Sequence, residues 1–264
     1  MINNHMRKII SLICILSISI HAIAQETRQQ RKAEKRARIN NMIKEEEEGV
    51  IAYPKSFLFG AKLTSNGYGG FFELGRAHTV KTAMLYQLEI TELKSVKEYK
   101  QTNAFLNTTP FIYGKENFVY PVKLGVQQQR LLGNKSNKNG VSVTANYGGG
   151  IDVALLRPYY IEVQKNSDYV YVKYNSADSS YFINGPVVSG PTFGKGWSDL
   201  SITPGLYAKT ALRFDYGAFN EIISAIEVGV VGEYFTKKIP IMIQTDPKSF
   251  FFGAYFSLLF GKRH

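Results

Sequence analysis

Cysteine is nearly missing from this chain. Cys14 stands alone in 264 residues, so no disulfide can form within one molecule. Histidine is also scarce, with four copies, and no His/Cys/Asp cluster has the spacing of a metal site. No metal or other cofactor is therefore expected. Beyond the N-terminus no run of 18 apolar residues occurs, which excludes a helical membrane span there. A phosphate loop is missing as well: Gly194-Lys195 lacks a glycine at the required distance before it, and Gly196 follows where Ser or Thr is needed. Acidic residues are in deficit, 21 against 32 Lys and Arg, for a formal charge of +11. Such a balance raises nucleic acid as a partner, but the basic residues are spread along the chain rather than focused on one element. Nucleic acid is not expected.

What the chain does have is aromatic residues and alternation. It carries 17 Phe and 17 Tyr against a single Trp. In its last stretch Phe250, Phe252, Ala254, Phe256, Leu258 and Phe260 fall on one side of an extended strand. Gly253, Tyr255, Ser257 and Gly261 fall on the other. In water such a face is an aggregation hazard. In an outer-membrane β-barrel it is the expected closing strand, apolar toward hydrocarbon and smaller and more polar toward the lumen.

The N-terminus supplies a route to that location. Arg7 and Lys8 precede an apolar run from Ile9 to Ile20, and Ala22-Ile23-Ala24 gives a small-x-small pattern. Residues 1–24 read as a secretory signal peptide cleaved after Ala24, too short in its apolar core to cross as a helix. Cleavage removes Cys14, and loss of Arg7 and Lys8 takes the formal charge from +11 to +9. Residues 25–49 read as a separate charged extension in the periplasm. Arg28, Arg31, Lys32, Lys35, Arg36, Arg38 and Lys44 meet Glu26, Glu34 and Glu45 to Glu48, in a composition that favours helix. Such a segment is either a solvated helix or tether, or a docking arm for a periplasmic partner.

From residue 50 to 264 the sequence predicts an all-β domain, an eight-stranded antiparallel up-and-down transmembrane barrel. Eight alternating runs span about 55–64, 70–77, 82–93, 118–131, 140–156, 202–216, 221–235 and 250–261, near the roughly 9–11 residues a tilted membrane strand needs. With both chain ends in the periplasm, the inner turns are 76–81, 132–139 and 217–220, all short. The outer connections are 65–69, 94–117, 164–201 and 236–249, all but the first long. Short periplasmic turns alternating with long external loops are the pattern of such barrels.

Parity then assigns the interior. If Phe57, Phe59 and Leu63 face lipid, Lys62 points inward, and the same step sends Glu73, Glu89, Lys123, Asp152, Lys209, Arg213, Glu227 and Glu233 to the lumen. Turned toward lipid, each basic group near the midplane would cost about 2–4 kcal/mol. Eight strands enclose a space that side chains nearly fill, so these groups are expected to pair into a charge network that leaves no wide channel. The 164–201 loop holds Tyr169, Tyr171, Tyr174, Tyr181 and Trp197, together with Phe182 and Phe193. They either pack the loop into a cap or a strand extension above the membrane, or recognise a protein or glycan at the cell surface.

The signal peptide, the eight runs, the turn and loop alternation and the aromatic last strand resemble the small outer-membrane barrels of Gram-negative bacteria. Within these, Pro158-Tyr159-Tyr160, Pro204-Gly205-Leu206-Tyr207, Glu227-Val228-Gly229-Val230 and Ile239-Pro240-Ile241-Met242 resemble the porin-family barrels of Bacteroidota. One departure is that the chain runs past Phe260 as Gly261-Lys262-Arg263-His264. The resemblance implies insertion by the barrel assembly machinery, contact with outer-membrane lipid and lipopolysaccharide, and a non-enzymatic envelope role, structural or binding an envelope protein. A narrow-pore transporter of small solutes is the alternative. Some barrels of this size resemble lipid A-modifying enzymes, which use a histidine with a serine and a carboxylate near the outer leaflet. After processing only His78 and His264 remain, and both fall on the periplasmic side in this topology.

Overall fold

Strict two-residue alternation over long runs forces extended chain, because only a strand separates successive side chains onto opposite faces. The computed structural model describes residues 34, 36, 37, 54–102, 109–135, 140–165, 167–174, 179–217 and 222–264. Its thirteen strands in chain order are β1 (Lys55–Thr64), β2 (Gly67–Ala77), β3 (Thr82–Leu93), β4 (Lys100–Gln101), β5 (Phe111–Ile112), β6 (Asn117–Gly133) and β7 (Ser142–Pro158). Then follow β8 (Tyr160–Lys165), β9 (Asp168–Lys173), β10 (Val187–Ser189), β11 (Ser201–Asp215), β12 (Ile222–Ile239) and β13 (Lys248–Arg263).

Eight of them close into one antiparallel barrel in the order β1-β13-β12-β11-β7-β6-β3-β2, each paired with its neighbours along the chain. The seam between first and last strands runs from Ser56 opposite Arg263 to Thr64 opposite Tyr255. Reciprocal backbone bonds between Lys55 and His264, 3.0 and 2.8 Å, clip its end. The expected all-β, eight-stranded up-and-down barrel is thus the fold.

Element edges differ from the expected runs where local chemistry extends pairing. β2 begins at Gly67, not at residue 70, since glycine accepts the unusual backbone angle at the turn (φ 156°), and the β1–β2 link shrinks to Ser65-Asn66. β12 continues past residue 235 to Ile239. The largest difference lies after β7. The barrel strand stops at Pro158, and the connection is folded rather than a loop from 164: β8, β9 and β10 form a three-stranded sheet with a short helix, Ser179–Asn184.

This outer segment has its own core. Ile112, Tyr159, Ile161, Val163, Val172, Phe182 and Met242 bury one another, so residues from three separate long connections interlock. The Tyr159 hydroxyl accepts the Ile112 backbone N–H at 2.8 Å, and burial pushes this phenol up to about 12. The N-terminal unit, residues 1–52, contributes only Glu34, Arg36 and Ala37 to the described residues, all helical and exposed. The expected signal peptide and most of the charged extension lie outside the described residues.

The charged lumen as candidate functional site

The barrel is inverted relative to a water-soluble protein. Lys62 and Glu89 are 1% exposed, and Asp152 is fully buried, while Leu124 is 54% exposed and Phe252 61%. Along the middle of the strands polarity follows parity: outward side chains are mainly Phe, Leu, Ile, Val and Tyr, and the buried ionic ones point in, while the outward Arg76 and Arg130 stand near strand ends.

All nine charged residues assigned inward lie buried: Lys62, Glu73, Glu89, Lys123, Asp152, Lys209, Arg213, Glu227 and Glu233. Arg213 is the hub of the lower half. Its guanidinium forks onto Glu73, Nη1 to Oε1 and Nη2 to Oε2 both at 2.8 Å, and also reaches Glu227 at 2.7 Å. β11 and β2 are four steps apart in a ring of eight, so the Arg213–Glu73 pair runs across the whole lumen. Bidentate pairing is the strongest geometry available to these groups.

In the upper half Glu89 accepts Lys62 at 2.9 Å and Lys123 at 3.1 Å, and Lys123 also meets Glu233 at 2.6 Å. The Lys62 ammonium sits 3.9 Å from the centre of the Tyr255 ring, whose hydroxyl donates to Glu227 at 2.8 Å. Lys209 donates to Gln87 at 2.7 Å and lies 3.6 Å from Glu227. The ionic groups therefore form one web from β1 around to β13. Asp152 sits opposite Lys123 in the β6–β7 register, but neither of its carboxylate oxygens has a hydrogen-bond partner among the described residues.

Charge alone does not complete the web. Gln87, Gln127, Asn146 and Tyr255 belong to it too, through Gln127 to Gln87 at 2.9 Å and Asn146 to Glu227 at 2.9 Å. The parity argument reaches them, since they share strand faces with Glu89, Lys123, Asp152 and Ser257, but their neutral groups carry no ionic penalty to mark them.

Apolar residues close both ends of the web. Leu58, Phe71, Ile223, Ala225 and Leu259 cluster toward the short turns, and Leu93, Val119, Ala154, Leu156, Phe235 and Ile239 toward the long loops. Close backbone approach helps the interior fit. A Cβ on Gly125 would stand 2.3 Å from the Tyr207 hydroxyl and 2.6 Å from the Gly149 carbonyl.

Above this, on the barrel's outer face, Arg157 is only 4% exposed although its parity turns it outward. Phe118, Trp197, Tyr120 and Phe193 surround its guanidinium at 4.2, 4.9, 5.7 and 5.9 Å, and Nη1 donates to the Phe193 carbonyl at 2.8 Å. The segment 193–197 thus folds down over the barrel wall, with Trp197 stacked on Tyr120 at 5.7 Å.

The loop aromatics do not converge on one site. Tyr181 packs against the outer core, Tyr169 and Tyr174 are exposed, Tyr171 lies 5.1 Å from the Lys195 ammonium, and Trp197 belongs to the cage around Arg157. His78 sits in the β2–β3 turn and His264 at the seam end, both at the short-turn end. Among the described residues no group of three or more His, Cys, Asp or Glu could hold a metal ion.

No protein-family model matches the chain, and no curated protein sequence does. Among solved structures, the N-terminal β-barrel domain of Pseudomonas aeruginosa OprF is similar at 9% identity and a TM-score of 0.35, covering 79% of this chain and 98% of that one. Neisserial surface protein A (NspA) is similar at 9% identity and a TM-score of 0.35, covering 80% and 95%. The eight-strand closure rests on the strand pairings themselves.

Proposed function

We propose that this chain is a bacterial outer-membrane protein whose barrel is a closed, non-enzymatic anchor, with its N-terminus in the periplasm and its folded outer segment presented at the cell surface. The inverted distribution of polarity supports the location: a belt of half-exposed Phe and Leu around a buried ionic core is stable only where hydrocarbon surrounds it. Short turns beside both chain ends, with the folded connections opposite, support the orientation. The four segments that resemble Bacteroidota porin-family barrels support an origin in that group. Insertion would then use the barrel assembly machinery, with lipopolysaccharide as the neighbouring lipid.

The Arg213–Glu73 bridge carries the closed-lumen reading. A guanidinium tied to carboxylates on two other strands, between apolar clusters toward both ends, supports a lumen without an aqueous path of solute width. The anchor then serves the envelope structurally or holds a partner through its outer face, where Tyr169 and Tyr174 are exposed. Planar-bilayer recording of the purified protein tests this. No stable openings are expected; discrete openings in the wild type would replace the anchor with a narrow-pore transporter. An unchanged lipid A profile on His78→Ala is also expected, because that imidazole lies at the end opposite the folded outer segment.

A further inference from the structure

The barrel wall is uneven at its outer rim. β1 and β2 are joined by Ser65-Asn66 alone, whereas the connections on either side, after β3 and before β13, rise above it. Between them lies a cavity of about 330 Å³ with Asn66 at its floor. Backbone bonds fix this floor: Lys94 N–H to Asn66 O at 2.6 Å and Ser65 N–H to Ala254 O at 2.9 Å, with Asn66 Nδ2 donating to Phe252 O at 3.2 Å.

The walls differ in chemistry. Ile241, Met242, Phe250 and Phe252 supply apolar surface, while three lysines, Lys94, Lys97 and Lys248, line it with one acidic residue, Asp246, and Glu92 lies beside Lys94. Lys94 is held in place by the Tyr68 ring at 4.5 Å and lies 3.8 Å from Glu92. Lys97 and Lys248 are exposed and make no ion pair among the described residues. Below the notch the lipid-facing stripe continues through Phe252, Phe256 and Leu63, all exposed.

We propose that this notch binds the phosphate-bearing headgroup of a lipid in the surrounding leaflet, its acyl chain lying along the Phe252–Phe256–Leu63 stripe. The proposal rests on the outer-membrane reading above. Three cations at the edge of an apolar belt suit an anionic amphiphile: the charge neutralises phosphate while the stripe accepts hydrocarbon, and each lysine near such a surface contributes roughly fivefold in affinity. A free phosphate would gain nothing from the stripe.

The full chain in phosphatidylcholine nanodiscs, titrated with bisphosphorylated lipid A and read by native mass spectrometry, tests this. Lys94→Gln/Lys97→Gln/Lys248→Gln is expected to lower retention of that lipid at least about tenfold. The corresponding triple arginine variant should retain it, and inorganic phosphate should not displace it. Equal retention by the glutamine variant, equal binding of dephosphorylated lipid, or displacement by inorganic phosphate each overturns the notch site. Heat-modifiable migration on gels checks that each variant remains a closed barrel. Failure of wild-type protein to enter nanodiscs at all would overturn the membrane reading; insertion without phosphate preference would overturn only the site.

Discussion

Glu73 and Arg213 stand on opposite walls of the barrel and meet in its centre through two parallel 2.8 Å hydrogen bonds. Removing the guanidinium leaves Glu73 and Glu227 buried without their main counter-charge, a change that costs about 3–5 kcal/mol for a buried pair. Arg213→Met should therefore lower the urea midpoint of the barrel in liposomes sharply. Glu73→Gln in the same chain should recover part of the loss, since it removes one of the stranded charges. A wild-type midpoint in the single variant would mean that the bridge is not formed.

Charge made much of this interior legible in sequence. Lys62, Glu73 and Arg213 each interrupt an apolar alternation, and the energetic cost of a cation in lipid fixes which way the strand faces. Gln87 and Asn146 share those faces but carry no such penalty, so parity places them only once their ionic neighbours are assigned, whereas Tyr255 is placed by the apolar alternation of the last strand itself. Partner choice was not legible, because it depends on which strands lie opposite each other in the closed ring. The outer sheet was legible only as alternation: Tyr169-Val170-Tyr171-Val172 has the two-residue period of a barrel strand, and nothing local shows that its partner is the 160–165 segment.

On the proposed outer-membrane reading, hydrocarbon around the barrel makes position along a strand matter. Leu124 lies at the middle of β6 and Leu132 near its turn end, both more than half exposed. Leu124→Arg should destabilise by about 2–4 kcal/mol and Leu132→Arg by about 0–1 kcal/mol, measured by reversible unfolding in bilayers. Equal costs would argue that the belt is not in lipid.

Arg157 pins the 193–197 segment against the barrel through four rings and one carbonyl. Arg157→Ala should raise hydrogen exchange across residues 193–199 and expose that segment to protease, while the unfolding midpoint of the barrel changes far less. Arg157→Lys should protect only partly, because an ammonium lacks the planar face that stacks on aromatic rings. Unchanged exchange in the alanine variant would remove the pin.

Asp199 follows Trp197 in the same turn. A hydrogen bond from the Tyr160 hydroxyl, then one from Lys173 at 3.0 Å, holds its carboxyl below the usual aspartate range. A carboxyl lowered by folding contributes stability above its unfolded pKa and loses it as pH falls through the folded one. The turn should therefore stay docked at neutral pH and loosen only in acid, below about pH 4. Fluorescence of Trp197, the single tryptophan, reports this directly. Asp199→Asn should flatten the acid transition; an unaltered transition would assign it to another group.

Gly125 leaves no room beneath Tyr207. Gly125→Ala should destabilise by about 1–3 kcal/mol, with Tyr207→Phe relieving the part due to the hydroxyl but not the part due to the Gly149 carbonyl.

The ionic web draws Lys62 from the first strand and Tyr255 from the last. Until those two edges meet, a partly assembled sheet would hold ammonium and carboxylate groups out of water with their partners still absent. Half-inserted forms are thereby penalised, and the polypeptide should pass from unshut to sealed in a single cooperative event, with the ends of the chain arriving together.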